Sequence, residues 1–204
     1  MSRTRALSDD TVLQRAIGVF WKSGYAGTSL RDLTQATGLS AAALYHRFMD
    51  KDGLFVEALR RYADDGLVER LARLSASDDG LGAIHDFLDE LIIMSLADPD
   101  HRGCLLVNTA LDGAAMSSAA RHLVRSRLGE VEAFFAEQLQ RAIAGGMLSP
   151  AIDITGTATA LLGTVFAIRV LARLDPDPRR LRALATHAMA SLPRPKKSKG
   201  SARS

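Results

Sequence analysis

The chain has 204 residues, of which 47% are hydrophobic and 24% are charged, a balance that excludes a disordered chain, a collagen-like repeat and a disulfide scaffold. Its single cysteine, Cys104, rules out an intrachain disulfide. The longest uncharged apolar stretch, residues 154–168, is shorter than the roughly 20 residues that span a bilayer. The first ten residues lack the apolar core of a signal peptide. We therefore expect a cytoplasmic protein that does not associate with a membrane.

Charge is distributed unevenly along the chain. Residues 1–51 carry seven Lys and Arg against four Asp and Glu, whereas residues 52–192 carry fourteen against nineteen. A basic segment attached to an acidic body is typical of a protein that presents one end to a polyanion. Residues 193–204 contain five basic and no acidic residues, are rich in Pro, Ser and Lys, and show no apolar periodicity. We predict that they form a disordered basic tail.

Good helix formers dominate the chain, and no strand-like alternation persists. These patterns predict an all-α protein of about nine helices, with a small N-terminal helical unit and a larger bundle behind it. Ser and Asp residues precede several apolar repeats as capping signals, and Gly or Pro residues end them. The predicted helices run over about 9–23, 29–37, 41–48, 50–75, 81–97, 104–112, 117–144, 152–174 and from 178 to about 192.

The segment from Thr28 to Tyr45 has the spacing of a helix-turn-helix motif. Two short helices flank Gly38, which can adopt the left-handed conformation that a sharp turn requires. In such motifs the N-terminal end of the second helix enters the major groove of DNA. Here that end carries Ala41, Ala42 and Ala43, whose methyl groups can read only thymine methyls or groove shape. The alternative interpretation is a tight turn between two helices of a bundle.

A longer pattern of residues extends on both sides of this motif. It consists of Leu13, Ala16, Ile17, Phe20, Gly24, Tyr25, Thr28–Leu33, Ala36–Ser40, Leu44, Tyr45, Arg47, Phe48, Asp50, Lys51 and Leu54. This pattern resembles the DNA-binding domain of TetR/AcrR-family transcriptional regulators. The resemblance implies a homodimer with a DNA-binding domain over 1–51 and an effector-binding and dimerisation domain over 52–192. The family often has Gly, Ser or Thr just before the Leu-Tyr pair, where this chain has three alanines.

The resemblance also implies which residues contact DNA. Hydroxyl groups and helix N-termini commonly donate to phosphates, and a lysine at a helix start adds charge there. Tyr45 has the alternative role of a half-buried core residue, and Thr28 and Ser29 that of helix caps. Arg3 and Arg5 are candidates for a minor-groove arm, or are simply solvated. The predicted DNA-contacting residues are Thr28, Ser29, Ser40, Ala41, Ala42, Tyr45, His46 and Lys51.

The region after residue 52 contains candidates for an effector pocket and for the dimer interface. Two of them, Asn108 and Thr109, are polar residues in an apolar run, so they need hydrogen-bond partners if buried, and a ligand could supply one. Core packing is the alternative for each candidate. The candidate pocket residues are Phe87, Leu91, Met94, Cys104, Asn108, Thr109, Phe134, Val165 and Phe166. By resemblance, the dimer interface contains Gly156, Ala160, Gly163, Leu181, Leu184 and Ala188.

No arrangement of residues predicts catalysis. The chain has no phosphate-binding glycine loop, no nucleophile motif and no metal-ligand spacing, so we expect neither an enzyme nor a cofactor nor a metal site. We predict a repressor that binds a palindromic operator as a homodimer and is released by a small-molecule effector. One alternative is an electrophile or redox sensor, because Cys104 follows Arg102 near a predicted helix start. Another is a helical enzyme or binding protein with a purely structural helix-turn-helix.

Overall fold

The computed structural model describes residues 7–113 and 116–195. Arg3, Arg5 and residues 196–204 of the predicted tail lie outside the described residues. The described chain is helical and contains no strand, which confirms the all-α prediction. Its helices are α1 (Asp9–Gly27), α2 (Leu30–Thr37), α3 (Ala41–Phe48), α4 (Lys51–Ala63), α5 (Glu69–Ser75), α6 (Gly80–Ala97), α7 (Leu105–Leu111), α8 (Ser118–Ala144), α9 (Ile154–Leu174) and α10 (Pro178–Ala190).

Local signals set the ends of the first helices. Ser8 caps α1, since its side chain accepts a hydrogen bond from the Thr11 N–H. Gly24 was predicted to end this helix, and its φ of 69° and ψ of 172° kink the chain there before helical geometry resumes up to Gly27. Gly38 ends α2 in the left-handed conformation, with a φ of 73°.

The predicted helix over residues 50–75 consists of three consecutive segments. A π-helical segment, Asp64–Val68, lies between α4 and α5 and holds one residue more per turn than an α-helix. Apolar periodicity does not reveal such a segment, because Leu59, Ala63, Leu67 and Leu71 follow one another at intervals of four through it. Counted as one interrupted helix, these segments bring the described part of the chain to nine helices.

The chain forms two compact units. One contains the described residues up to Arg70 together with Asp100–Gly129, and the other contains Leu71–Pro99 and the described residues from Glu130 onward. The units are defined by packing alone. The functional boundary predicted between residues 51 and 52 therefore remains a prediction.

In the first unit, a core of apolar side chains holds α1 to α4 together. Phe20 of α1 contacts Phe55 of α4 edge to face, with 4.8 Å between ring centroids. Leu33 of α2 and Leu44 of α3 are buried in the same cluster. Burial of one such side chain contributes about 1.5–3 kcal/mol, so the core fixes which side of α3 faces inward.

In the second unit, α9 is apolar over more of its length than the uncharged stretch of residues 154–168. Arg169 ends that stretch, yet its side chain is buried. Apolar residues continue after it up to Leu174, interrupted by the exposed Arg173. By length and composition alone, α9 could cross a membrane, although this test is also passed by helices of soluble proteins. Only 28% of its most apolar window is buried within the chain. A large apolar surface of α9 is therefore exposed in the isolated chain.

Candidate nucleic-acid interface

The turn between α2 and α3 is held by a network of local hydrogen bonds. Thr37 is buried, and its hydroxyl donates to the Leu33 carbonyl at 2.6 Å and accepts from the Leu39 N–H at 3.4 Å. Arg15 of α1 donates to the Thr37 carbonyl at 3.1 Å. The C-terminal end of α2 is thereby tied both to the turn and to α1. This arrangement gives α3 a defined direction within the unit.

Helix α3 has one buried side and one exposed side. Leu44 and Phe48 pack into the core, whereas Ala42, Tyr45 and His46 are exposed. Because 42% of Tyr45 is exposed, it lies on the surface and is not the half-buried core residue of the alternative interpretation. The exposed side of α3 combines a methyl group, a phenol and an imidazole, which suit groove and phosphate contacts.

Ser40 provides a polar group at the start of α3. Its side-chain oxygen accepts a hydrogen bond from the Ala43 N–H at 3.2 Å and so caps the helix. The Ser40 hydroxyl proton has no acceptor among the described residues. Ser40 is exposed, and Ala41 beside it is half-buried. A hydroxyl donor therefore stands next to the first turn of the helix.

A tight turn connects α3 to α4. The Asp50 N–H donates to the Phe48 carbonyl at 2.9 Å, and the intervening Met49 has a φ of 68° and a ψ of −56°. These values are those of the rare γ-turn, which is strained for a residue other than glycine. Gly53 follows in the first turn of α4, where a Cβ atom would overlap the same Phe48 carbonyl oxygen. The close approach of α4 to the end of α3 thus requires glycine at position 53.

Lys51 lies at the first position of α4. Its Nζ atom is 4.4 Å from the centroid of the Tyr25 ring, a cation–π contact that holds the ammonium group near the start of the helix. Burial raises the pKa of the Tyr25 hydroxyl, and the nearby carboxylates of Asp52 and Asp50 raise it further. Tyr25 therefore stays neutral and serves as an apolar platform for the lysine.

Thr28 and Ser29 occupy different environments. Thr28 is 2% exposed and its hydroxyl donates to the Gly24 carbonyl at 2.7 Å, so it packs the turn and does not present a donor to a phosphate. Ser29 is exposed, but its hydroxyl donates to the Asp32 carboxylate at 2.6 Å and accepts from the Asp32 N–H. These bonds form a capping box, and the hydrogen bonds from Ser29 lower the pKa of Asp32. Both hydroxyl groups therefore stabilise the local structure through hydrogen bonds within the unit.

One contact in this unit was not foreseen from the sequence. Arg47 of α3 donates to the Leu7 carbonyl at 3.0 Å and forms an ion pair with Asp9 at 3.2 Å. Arg47 thereby fixes the start of α1 against α3. Arg47 and Asp9 are 38 positions apart, so only the folded chain reveals this structural role of Arg47.

The candidate pocket residues are divided between the two units. In the second unit, Phe87, Leu91, Phe134 and Val165 are buried, Phe166 is half-buried and Met94 is 43% exposed. Phe87 and Phe134 pack together with 5.6 Å between ring centroids. Cys104, Asn108 and Thr109 belong to the first unit.

The three candidates of the first unit have local roles. Asn108 donates to the Arg102 carbonyl at 2.8 Å, and the Thr109 hydroxyl donates to the Leu105 carbonyl at 2.7 Å. Both polar groups thus have hydrogen-bond partners within the protein, which agrees with the alternative that these residues belong to the core. Cys104 is a half-buried free thiol at the residue preceding α7 and packs against the core of the unit. Its role as a sensor remains a prediction.

Comparison with known proteins identifies the family of the chain. Residues 12–58 match the family described as bacterial regulatory proteins, tetR family, and residues 80–189 match the tetracyclin repressor-like C-terminal domain. The chain is 28% identical over 184 residues to the HTH-type transcriptional repressor ComR of Escherichia coli K12, covering 90% of this chain and 88% of ComR.

Solved structures give the same result. A cysteine-substituted form of CifR, a TetR family transcriptional regulator complexed with 26-bp double-strand operator DNA, is 35% identical with a TM-score of 0.84. The match covers 94% of this chain and 100% of the CifR chain. A TetR transcriptional regulator from Chloroflexus aurantiacus is 29% identical with a TM-score of 0.78, covering 89% and 91% of the two chains. The chain therefore belongs to the TetR family and is a DNA-binding transcriptional regulator.

Proposed function

We propose that the protein is a cytoplasmic homodimeric repressor that binds an inverted-repeat operator and releases it when a small-molecule effector binds. In this proposal residues 1–51 bind DNA and residues 52–192 bind the effector and form the dimer, without catalysis or a cofactor. The observation that carries the proposal is the exposed side of α3, held at a fixed direction by the turn and the core. The complex of CifR with operator DNA supports it.

The exposed surface of α9 supports the dimer. Gly156, Ala160 and Gly163 lie exposed along one side of this helix, where small residues allow another helix to approach closely. A groove of about 250 Å³ runs between α9 and α10, and Ala160, Leu184 and Ala188 are among its lining residues. An exposed apolar helix surface with small residues along it is typical of an interface between subunits. We propose that the same surface of a second copy covers it.

DNA recognition in this proposal depends on phosphate contacts and groove shape more than on direct base contacts. Ala42 offers only a methyl group, which can contact a thymine methyl. Ser40, Tyr45, His46 and Lys51 supply donors and charge for the phosphates and the groove edge. Thr28 and Ser29 are left out of this set because their hydroxyl groups form hydrogen bonds within the unit. Effector binding then favours a dimer in which the two α3 helices are wrongly spaced for DNA.

The decisive experiment is selection of sequences from random DNA by the purified full-length protein, followed by binding measurements at several salt concentrations. We expect an inverted repeat to be enriched and its affinity to fall as salt rises. If no sequence is enriched, or if only a direct or single site is selected, the proposed mode of binding is wrong.

Replacement of Lys51 by alanine tests the phosphate contact at the start of α4. We expect Lys51→Ala to weaken binding about equally on matched and mismatched DNA, and to reduce the slope of log K against log salt by about 1. Lys51→Arg keeps the charge over the Tyr25 ring and serves as the matched control, with a slope close to that of the wild type. An unchanged affinity and slope in Lys51→Ala would show that this lysine does not contact DNA.

A further inference from the structure

The second unit contains a buried cation without a counter-charge. Arg169 of α9 is 6% exposed, and its Nη1 atom donates to the Ser95 side-chain oxygen of α6 at 2.9 Å. Its Nε atom is enclosed and has no hydrogen-bond partner, and no carboxylate of the described residues forms an ion pair with it. Buried arginines are normally paired with an acid, because removing the charge from water is costly. One neutral hydrogen bond offsets only part of that cost.

Ser95 orients the guanidinium group. Ser95 is 4% exposed, and its hydroxyl proton is donated to the Leu91 carbonyl at 2.7 Å. Its oxygen therefore faces Arg169 only as an acceptor, and it holds the Nη1 side of the guanidinium. The opposite edge, formed by Nε and Nη2, has no acceptor among the described residues. This edge has the two parallel N–H donors that match a carboxylate.

Apolar residues lie within one helical turn of this pair. Leu91 and Met94 come four and one residues before Ser95 on α6, and Val165 and Phe166 come four and three residues before Arg169 on α9. Residues three and four apart share a helix face, so Leu91, Val165 and Phe166 lie on the faces that carry Ser95 and Arg169. All four apolar residues were predicted to line an effector pocket. A single cation among apolar side chains suits a ligand with one anionic end and a hydrocarbon body.

We propose that Arg169 is the anion-binding group of the effector site and that the effector is an apolar carboxylate. Because Nε and the side chains of Leu91 and Val165 are enclosed in the unliganded chain, the apolar side chains around Arg169 have to separate as the ligand enters. The carboxylate then accepts two hydrogen bonds from the Nε and Nη2 atoms of Arg169, while its hydrocarbon part packs against Leu91, Met94, Val165 and Phe166. This inference rests on the proposed function, since it names the ligand class that would release the operator. Within the second unit, the ligand supplies the counter-charge that Arg169 lacks.

Binding of octanoate, decanoate and benzoate to the full-length protein tests the proposal, with octanamide, decanamide and benzamide as uncharged analogues. Calorimetry and the shift of the melting temperature are the readouts. We expect at least one carboxylate to bind, and its amide to bind on the order of 10- to 100-fold more weakly, as for loss of hydrogen bonds to a charged group. Arg169→Met should weaken the binding of the carboxylate by a similar factor. Arg173→Met removes an exposed arginine from the same helix and should leave this affinity unchanged.

The unliganded variants provide a second measurement. Arg169→Met replaces the buried charge by an apolar chain of similar length, so we expect its melting temperature without ligand to equal or exceed that of the wild type. A large fall would show that Arg169 serves stability and would overturn the proposal. Equal binding of carboxylate and amide, or no binding of any probe up to about 10 mM, would also overturn it, since even a millimolar site is occupied at that concentration.

Operator binding shows whether a failure concerns the repressor function or the carboxylate site at Arg169. If the protein binds an inverted repeat but no carboxylate binds to it, the ligand class is wrong and the repressor proposal stands. If a carboxylate binds through Arg169 but no operator is selected, the proposed function fails and the anion site stands. If both hold, the bound carboxylate should release the operator from the wild type at concentrations that leave Arg169→Met bound.

Discussion

Insertion of about five base pairs between the half-sites of the selected operator is expected to abolish specific binding, because it places the half-sites on opposite faces of the duplex. Affinity should fall to that for non-specific DNA, on the order of 1,000-fold or more. In the proposed DNA-bound dimer the two α3 helices are about one helical turn apart. Each α3 is fixed by the core of its own unit, so it cannot turn by itself towards a half-site on the opposite face of the duplex. Competition binding with the selected and extended operators measures the effect.

The matched control for the extended operator is a variant that has the same length as the selected operator. Replacing the same number of central base pairs, without insertion, alters the sequence between the half-sites and preserves their spacing. We expect its affinity to stay within about tenfold of the selected site, because bases that the protein does not touch act only through the stiffness and shape of DNA. Equal binding to the extended and selected operators would mean that one half-site suffices, which is incompatible with the proposed dimer.

The second large effect is expected for Gly53→Ala, which should destabilise the protein by about 1–3 kcal/mol. The added Cβ atom overlaps the Phe48 carbonyl oxygen, and that oxygen already accepts the Asp50 N–H of the γ-turn. Neither backbone group can move without breaking the turn between α3 and α4. Since α3 and Lys51 lie on either side of this turn, operator affinity should fall together with the free energy of unfolding.

Gly18→Ala is the matched control in the same unit. Gly18 lies within α1, and nothing is found within 4 Å of a Cβ atom added there. Alanine should therefore stabilise this helix by about 0.5–1 kcal/mol, because glycine loses more backbone freedom on folding. Urea unfolding of both variants gives the two free energies. A loss of stability at position 53 no greater than at position 18 would contradict the assigned close approach.

The sequence predicted the features that depend on neighbouring residues. Ser29 and Ser40 cap their helices, Gly38 adopts the left-handed conformation, and Gly24 breaks α1 where a stop was expected. Each of these signals acts within a few residues.

Features that depend on distant residues were not predictable in the same way. Ser95 and Arg169 are separated by 74 positions, and nothing local distinguishes this arginine from an exposed one. Thr28, which was predicted to contact DNA, differs for a local reason: its hydroxyl donates to the Gly24 carbonyl and is buried at the kink. Apolar composition also identifies which side chains are buried without indicating the cluster they join. For that reason the candidate pocket residues fell into two units.

The π-helical segment after α4 affects how related proteins can be compared. Before it, Phe55, Leu59 and Ala63 repeat at intervals of four, and Leu67 and Leu71 continue the same interval through it. In an uninterrupted α-helix each residue turns by about 100°, so one inserted residue would turn every later residue to another side of the helix. The π-helical segment absorbs an extra residue, because its wider turn covers with about five residues the rotation that an α-helix covers with about four. A relative without the segment therefore corresponds to this chain with a gap of one residue within Asp64–Val68, and an ungapped alignment would pair residues that lie on different sides of the two helices beyond it.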